Sequence, residues 1–227
     1  MKFKFSIVVP VLNEGKNINE LCEKLIVLLR NKYDYEIIFV DDGSTDNTVL
    51  NIKKRKEKNI FVIHKFSKPI DLSKSCRLGI NKSKFNNILI MDGDLQHDPK
   101  YIPKFIELFV KYDLDIVVGT RDFKRDKGLH FIRLFSSLVI INLFNFFLGF
   151  KTKDPMSGFF IFKKKIYKKN NDYFNKGYKI LADIIYSKKE YVEINDIKIN
   201  FKKRIYGKSK INFKVLLYLI IFILRKL

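Results

Sequence analysis

The octapeptide Asn87-Ile88-Leu89-Ile90-Met91-Asp92-Gly93-Asp94 runs four unbroken apolar residues into a pair of carboxylates. An unbroken apolar run, as opposed to an alternating one, describes a strand buried on both faces, as in a parallel sheet between helix layers. Ile7-Val8-Val9 and Ile37-Ile38-Phe39-Val40 repeat the pattern. Strands are expected at 5–12, 36–41, 60–64, 87–92 and 115–119, with helices between them at 16–31, 46–57, 72–83 and 99–112. That alternation implies an α/β fold with a mostly parallel central sheet flanked by helices. Ligands of such sheets bind beyond the carboxyl ends of the strands. Those ends carry the polar clusters here: Asn13-Glu14, Asp41-Asp42-Gly43-Ser44, Asp92-Gly93-Asp94 and Thr120-Arg121. Four such ends on one edge point to a nucleotide-type site.

The 227 residues suit one domain with a sizeable core, and a hydrophobic fraction of 47% argues against disorder. Charge is the outlier, with 45 Lys and Arg against 24 Asp and Glu, a net +21. Such a surplus suggests an anionic partner: nucleic acid, a membrane surface or a phosphorylated substrate. A coding bias towards Lys, Asn, Ile, Phe and Tyr would produce it too. Cys22 falls on the apolar stripe Ile18, Leu21, Cys22, Leu25, Leu28 and Leu29, which makes it a core residue. Neither it nor Cys76 belongs to a CxxC, so nothing suggests an oxidising compartment. The chain opens on a strand, without the apolar leader of a signal peptide, and a cytosolic location is expected.

Asp92 and Asp94 carry the sharpest chemical signal. Residues i and i+2 of an extended segment point to one side, and Gly93 keeps the position between them small. Two carboxylates so placed repel each other unless a cation sits beside them. Mg2+ and Mn2+ favour oxygen ligands, commonly one or two carboxylates plus substrate phosphate oxygens. A metal there would neutralise a diphosphate leaving group. Gln96 and His97 follow closely and could add a ligand or support one. Asp-Gly-Asp is also ordinary turn chemistry, but here a buried strand precedes it and Pro99 opens a helix after it. Asp46 is expected to cap the helix that follows it. That leaves Asp41 and Asp42 to be explained, and a strand-end carboxylate can accept hydrogen bonds from a base or ribose.

The second half has a different character. A helix is expected at about 129–150, in which Phe131–Phe150 is apolar apart from Arg133, Ser136, Ser137, Asn142 and Asn145 and is near the length that spans a bilayer. Asp154-Pro155 follows almost at once and a strand-like Gly158–Phe162 resumes the fold, which favours a helix lying in the membrane interface over one crossing it. Residues 213–227 form a second apolar segment, too short to span, between basic flanks. It reads as a membrane-associating helix on an anionic surface, or as one buried in the interface of a homo-oligomer. The expected organisation is one domain over 1–212, including the interfacial helix, plus this tail.

Five ordered motifs resemble the family 2 glycosyltransferases, over about residues 5 to 212. They are Val9-Pro10-Val11-Leu12-Asn13-Glu14, Val40-Asp41-Asp42-Gly43-Ser44-Thr45-Asp46, Met91-Asp92-Gly93-Asp94-Leu95-Gln96-His97-Asp98-Pro99, Asp154-Pro155-Met156-Ser157-Gly158-Phe159-Phe160 and Arg204-Ile205-Tyr206-Gly207-Lys208-Ser209-Lys210. The last two are similar to the branch of dolichol-phosphate mannose synthases and related polyprenyl-phosphate sugar transferases. The resemblance implies a GT-A fold, a nucleotide-diphosphate sugar donor, Mg2+ or Mn2+, and a polyprenyl-phosphate acceptor at the cytoplasmic face of a membrane. Position by position it assigns nucleotide-sugar contacts to Pro10, Leu12, Asn13, Glu14, Val40, Asp41, Asp42, Asp92, Gly93 and Lys208. It places the metal at Asp92, Asp94 and Gln96. Acceptor contacts fall to Arg121, Arg133, Ser137, Asp154, Ser157, Arg204 and Lys210, and Asp94, Arg121, Arg133 and Arg204 become the catalytic group. Arg forks pair well with phosphate oxygens, which suits an anionic acceptor meeting an anionic donor. Leu12 stands where an aromatic is frequent, and Ser67 to Ser73 replace a loop where Gly is usual.

The expected reaction is a single in-line displacement at the anomeric carbon, with inversion. A phosphate acceptor is already ionised near neutral pH, so positioning and electrostatics would carry most of the catalysis. A sugar-hydroxyl acceptor is the alternative within the transferases and would need a base, for which Asp154 is the candidate. A nucleotidyltransferase would show a Gly-rich phosphate loop where this chain has Pro-Val-Leu-Asn-Glu. A nucleic-acid-binding protein would suit the charge, but no binding motif accompanies it, and nucleic acid is not an expected partner.

Overall fold

The computed structural model describes residues 2–65, 70–121, 142, 146–147, 149–167, 180–186, 191–202 and 221. Along the chain come β1 (Lys4–Val11), α1 (Gly15–Leu29), β2 (Asp34–Asp41), α2 (Thr48–Lys53), β3 (Ile60–His64), α3 (Leu72–Lys82) and β4 (Asn87–Ile90). A 3-10 turn (Pro99–Tyr101) leads into α4 (Ile102–Lys111), then β5 (Ile116–Arg121), β6 (Phe160–Lys163), α5 (Ile180–Tyr186) and β7 (Ile194–Ile199). Among the described residues the seven strands make one sheet in the order β3-β2-β1-β4-β6-β5-β7. The four strands from β3 to β4 run parallel, as does the β5–β7 pair. Strand β6 lies antiparallel to both its neighbours, β4 and β5.

Strand period two sorts the apolar residues into two cores, one on each face of the sheet. Phe5, Ile7, Val9 and Val11 of β1 point to the layer of α1 and α4, where they meet Ile18, Leu21, Leu25, Phe105 and Phe109. Val8 points the other way, with Ile38 and Val40, against Cys76 and Ile80 of α3 and Ile180, Leu181, Ile184 and Ile185 of α5. Cys22 is fully buried on α1, the place its stripe assigned. The expected α/β sheet with helices on both faces is therefore present, with β7 and α5 added to the elements read from the sequence.

The expected interfacial helix at 129–150 and the tail at 213–227 lie almost wholly outside the described residues, as do Arg133, Ser137, Arg204, Lys208 and Lys210. Among the described residues no helix is long and apolar enough to cross a membrane. Phe146, Phe147 and Phe150 are exposed.

Helix α3 rides close on the sheet because Gly79 has no side chain. A Cβ there would overlap Val8 Cγ1 and come within 3.1 Å of Val40 Cγ2. Gly79→Ala would gain roughly 0.5–1 kcal/mol of helix propensity, but overpacking a core costs about 1–3 kcal/mol. Packing wins. Urea unfolding is expected to show a net loss of about 1–2 kcal/mol, and a variant as stable as the parent would contradict the close approach.

Candidate functional site

The ends of β1 and β2 are fastened to each other before any ligand is considered. Asn13 sits at φ +57, a left-handed conformation that Asn tolerates better than most residues. Its N–H donates to Ser44 Oγ (2.8 Å), and its Oδ1 accepts from Thr45 N–H (2.8 Å). Asp46 accepts from the Thr48 N–H at 3.0 Å and from the Thr48 hydroxyl. The N-cap position of α2 is Asn47, so the expected cap falls one residue before it, where Asp46 still satisfies the first N–H of the helix. It also accepts from Gly15 N–H at 2.9 Å, so it satisfies a first-turn donor of α1 as well. Burial alone would raise the Asp46 pKa, but these hydrogen bonds from Thr48 and Gly15 outweigh it and hold the carboxyl below its usual range.

Asp41 and Asp42 face different tasks. Asp41 is buried, and its carboxylate accepts from Gly43 N–H (3.3 Å) and Ser44 N–H (3.2 Å) while His64 Nδ1 lies 3.3 Å away. Gly43 turns this loop at φ +91. Asp42 forms a buried ion pair with Lys65 and accepts from Asp71 N–H at 2.7 Å. Asp71 in turn caps α3 by accepting from Lys74 N–H at 3.1 Å. Asp42 thus ties β2 to the end of β3 and the start of α3. Pro10 and Val40 are buried register partners on β1 and β2, and Leu12 follows β1 half-buried.

Beyond β4 the chain leaves the sheet at Met91. Asp92 donates its N–H to His97 Nδ1 at 3.0 Å. His97 is buried between Phe159, stacked at 5.1 Å, and Phe201, edge-on at 5.0 Å. Leu95 takes φ +63, costly for a branched residue, and its side chain joins the α1/α4 core. That anchor lets the acidic run loop back, so that Asp94 Oδ1 accepts from Gln96 N–H at 3.1 Å. Gly93 is required for space: a Cβ there would lie 2.8 Å from Val11 Cγ1, and Glu14 Cγ is at 3.8 Å. Glu14 Oε2 accepts from Asn17 Nδ2 at 2.7 Å.

The ends of β2 and β4 are electrostatic neighbours. Burial pushes the Cys76 thiol well up, and the charges of Asp92, Asp71 and Asp42 push it further. On the other side, Gln96 pairs twice with Lys202, donating Nε2–H to its carbonyl (3.2 Å) and accepting its N–H (3.1 Å). Lys202 Nζ reaches Asp98 Oδ2 at 2.9 Å.

Arg121 closes β5 with its guanidinium 4.3 Å from the Phe201 ring centre. Ser157, buried, donates its hydroxyl to Gly119 carbonyl (2.7 Å) and accepts from Phe159 N–H (3.2 Å). Asp196 of β7 fixes the approach to Asp154, accepting from Thr152 Oγ1 (2.5 Å) and Lys153 N–H (2.9 Å). Asp154 accepts from Met156 N–H at 3.1 Å. Burial raises its carboxyl to about 6, against the lowering pull of the Met156 N–H and Arg121, with Asp196 pushing it up.

Most of the described site residues named from sequence fall into three sets. Asp92, Gly93, Asp94 and Glu14 gather at the end of β4, Asp154 and Arg121 share the end of β5, and Asn13, Asp42 and Ser157 spend their polar groups on holding loops. Asp196, Lys65, His64 and Phe201 escaped the sequence reading. A signal for Asp196 existed in the apolar spacing of Ile197, Ile199 and Phe201, which marks a strand.

Residues 6–170 match the family described as Glycosyl transferase family 2. The chain belongs to that family. It is 31% identical over 217 residues to the dolichol-phosphate mannosyltransferase of Pyrococcus furiosus, covering 94% of this chain and 60% of that one. It is 32% identical over 168 residues to the dodecaprenyl-phosphate galacturonate synthase of Rhizobium johnstonii, covering 73% and 49%. With the dolichol-phosphate mannosyltransferase of Saccharomyces cerevisiae the identity is 29%, over 96% of this chain and 84% of the yeast protein. The chain thus spans about half to three-fifths of the length of the first two relatives. Among solved structures, the glucosyl-3-phosphoglycerate synthase of Mycobacterium tuberculosis bound to Mn2+ and UDP-Glc superposes with a TM-score of 0.71 at 16% identity. That match covers 99% of this chain and 79% of the other, and places the sheet in the expected GT-A fold.

The Asp154 shift has a thermodynamic consequence with a definite sign. Its folded pKa, about 6, lies above the ordinary carboxyl value of 3.8, so the folded state holds this proton more tightly than the unfolded chain does. Stability is lost as pH rises from about 4 through about 6, where ionisation becomes costly. Asp154→Asn, which mimics the neutral form, is expected to melt above the parent at pH 7.5 and to lose that margin near pH 4. An equal margin at both pH values would show that Asp154 is not forced to ionise against burial.

Proposed function

We propose that this family 2 member is an inverting, metal-assisted glycosyltransferase that moves a hexosyl group from a nucleoside-diphosphate sugar to a polyprenyl phosphate at a membrane surface. The observation that carries it is the placing of Asp92 and Asp94 where β4 leaves the sheet, with Arg121 at the parallel end of β5 and the names of the relatives alongside. Two hard carboxylates fit Mg2+ or Mn2+, which take their remaining oxygens from substrate phosphates and water. Among the described residues no group of three or more His, Cys, Asp or Glu gathers to make a protein-only cage. When bound, the ion supplies neutralisation of the departing diphosphate.

The chain's own residues supply position. Pro10, Leu12, Asn13, Glu14, Val40 and Asp41 line the nucleoside side, and Asp42 acts through the loops it holds. Asp92 and Asp94 would hold the ion, with Gln96, braced against Lys202, as a further ligand. Arg121 aligns an anionic acceptor oxygen with the anomeric carbon, and Arg133 and Arg204 share that work, with Ser137 and Lys210 on the acceptor and Lys208 on the donor. The acceptor oxygen forms a bond to the anomeric carbon as the bond from that carbon to the β-phosphate oxygen breaks. A phosphate monoester needs no base for this step. The exposed Phe146, Phe147 and Phe150, with the +21 charge, suit a peripheral seat on the cytoplasmic face of an anionic membrane.

A second reading uses a sugar hydroxyl as acceptor, with Asp154 taking its proton. The raised Asp154 carboxyl favours it, because a base poised near neutral pH is what such chemistry needs. A panel of nucleoside-diphosphate sugars offered with polyprenyl phosphate in vesicles separates the two. Transfer into the lipid phase is expected, unaffected in kind by Asp154→Asn and reduced about 100-fold or more by Asp94→Ala. Transfer only to glycan hydroxyls, abolished by Asp154→Asn, would replace the first reading with the second.

A further inference from the structure

Asp92 is held from two sides, and one side is a residue that contributes no side chain. Strand β6 pairs antiparallel with β4 in a register that sets Ile90 opposite Phe160 and Leu89 opposite Ile161. Continued two residues past the last pair, that register sets Asp92 opposite Gly158. The contacts follow that register: a Cβ on Gly158 would lie 3.0 Å from Asp92 Oδ2, 3.2 Å from Oδ1 and 3.3 Å from Cγ. A methyl carbon and a carboxylate oxygen do not pack at 3.0 Å without one of them moving.

Gly158 does not need to be glycine for its backbone. It is absent from the positive-φ residues, so an L side chain is conformationally allowed there. It also cannot retreat. Ser157 is tied to the Gly119 carbonyl, Phe159 N–H is tied to Ser157 Oγ, and Gly119 N–H donates to the Phe159 carbonyl at 2.8 Å. Phe159 is fully buried, 4.7 Å from Phe105 and 5.1 Å from His97. The strand side of the contact is rigid, whereas the Asp92 side chain is 36% exposed and has room to turn. On its other side, His97 fixes the Asp92 backbone through the 3.0 Å hydrogen bond.

We propose that Gly158 is a positioning residue for the divalent-cation site: the space left by its missing Cβ sets where the Asp92 carboxylate can stand. His97 sets the main chain of Asp92, and Gly158 sets the side chain. The inference rests on Asp92 being a ligand of the ion, as proposed above, and adds a residue that never touches metal or substrate. A methyl group at 158 shifts the carboxylate by a few tenths of an ångström while leaving sheet and core intact.

The test uses the whole chain, with Mn2+ alone followed by electron paramagnetic resonance, and Mn2+ with GDP or UDP followed by calorimetry. Parent protein is expected to bind Mn2+ saturably, and Asp94→Ala to lose it. Gly158→Ala should keep its melting temperature and weaken Mn2+ binding by about 10- to 100-fold, the usual loss when a supporting group of a metal ligand is disturbed. In an Asp92→Asn background the same change should add little, since the carboxylate it displaces is gone. Parent-like Mn2+ affinity in Gly158→Ala, with Asp94→Ala inactive in binding, overturns the role of Gly158 and leaves the metal site standing. No saturable Mn2+ binding by the parent, with or without nucleotide, overturns both. Should Gly158→Ala melt early, Asp92→Ala/Gly158→Ala decides the contact: recovered stability supports it, and none overturns it.

Discussion

The arrangement of Asp92, Asp154 and Arg121 depends on one antiparallel insertion. Strand β6 enters the sheet at the edge where the parallel strands β4 and β5 leave it, and runs back between them. The loop that feeds β6 is therefore wedged between the end of β4 and the end of β5. Asp154, Ser157 and Gly158 come to lie between the acid pair and Arg121 for that reason alone. A purely parallel sheet would have brought another strand's carboxyl end to this place and no returning loop.

The same edge solves an electrostatic problem. Carboxylates at the ends of β2 and β4 act on one buried thiol, Cys76, and so share a low-dielectric neighbourhood. The protein answers most of the charge with its own donors. Asp42 takes Lys65 and a backbone N–H, Asp46 takes donors from two helices, and Asp41 takes Gly43 and Ser44. These bonds make the edge stiff before a ligand arrives, which is the condition for electrostatic catalysis by position. Asp92 and Asp94 differ in sitting on a loop bent by the left-handed Leu95, an outlier of the kind that accompanies function.

Much of this was legible in the sequence, for identifiable reasons. Strands β1, β2 and β4 declared themselves because burial on both faces leaves no polar interruption in Ile7-Val8-Val9, Ile37-Ile38-Phe39-Val40 or Ile88-Leu89-Ile90-Met91. The expected end of β4 at 92 fell two residues late, since Met91 to Asp94 leave the sheet while still looking like its continuation. Strand β7 went unread although Asp196-Ile197-Lys198-Ile199 alternates as an edge strand does, because the runs that stood out were those apolar on both faces. The direction of β6 was invisible, because pairing direction is a property of two strands and not of Phe160 to Lys163. Asp42 and Ser157 show the limit for side chains: a strand-end carboxylate that holds Lys65 has the same local sequence as one that faces a ligand. Asp46 was legible as a residue that holds the start of α2, one position before its N-cap Asn47, but its reach to Gly15 crosses 31 positions of chain that only the fold brings together.

The central claim is that the end of β4 holds a divalent cation against a diphosphate. Anomalous scattering from crystals grown with Mn2+ and a nucleoside diphosphate tests it most directly. The expected result is a manganese peak about 2.1 Å from a carboxylate oxygen of Asp92 or Asp94, bridged to the diphosphate. A nucleotide bound with its diphosphate away from both residues, or manganese on any other cluster alone, would contradict it.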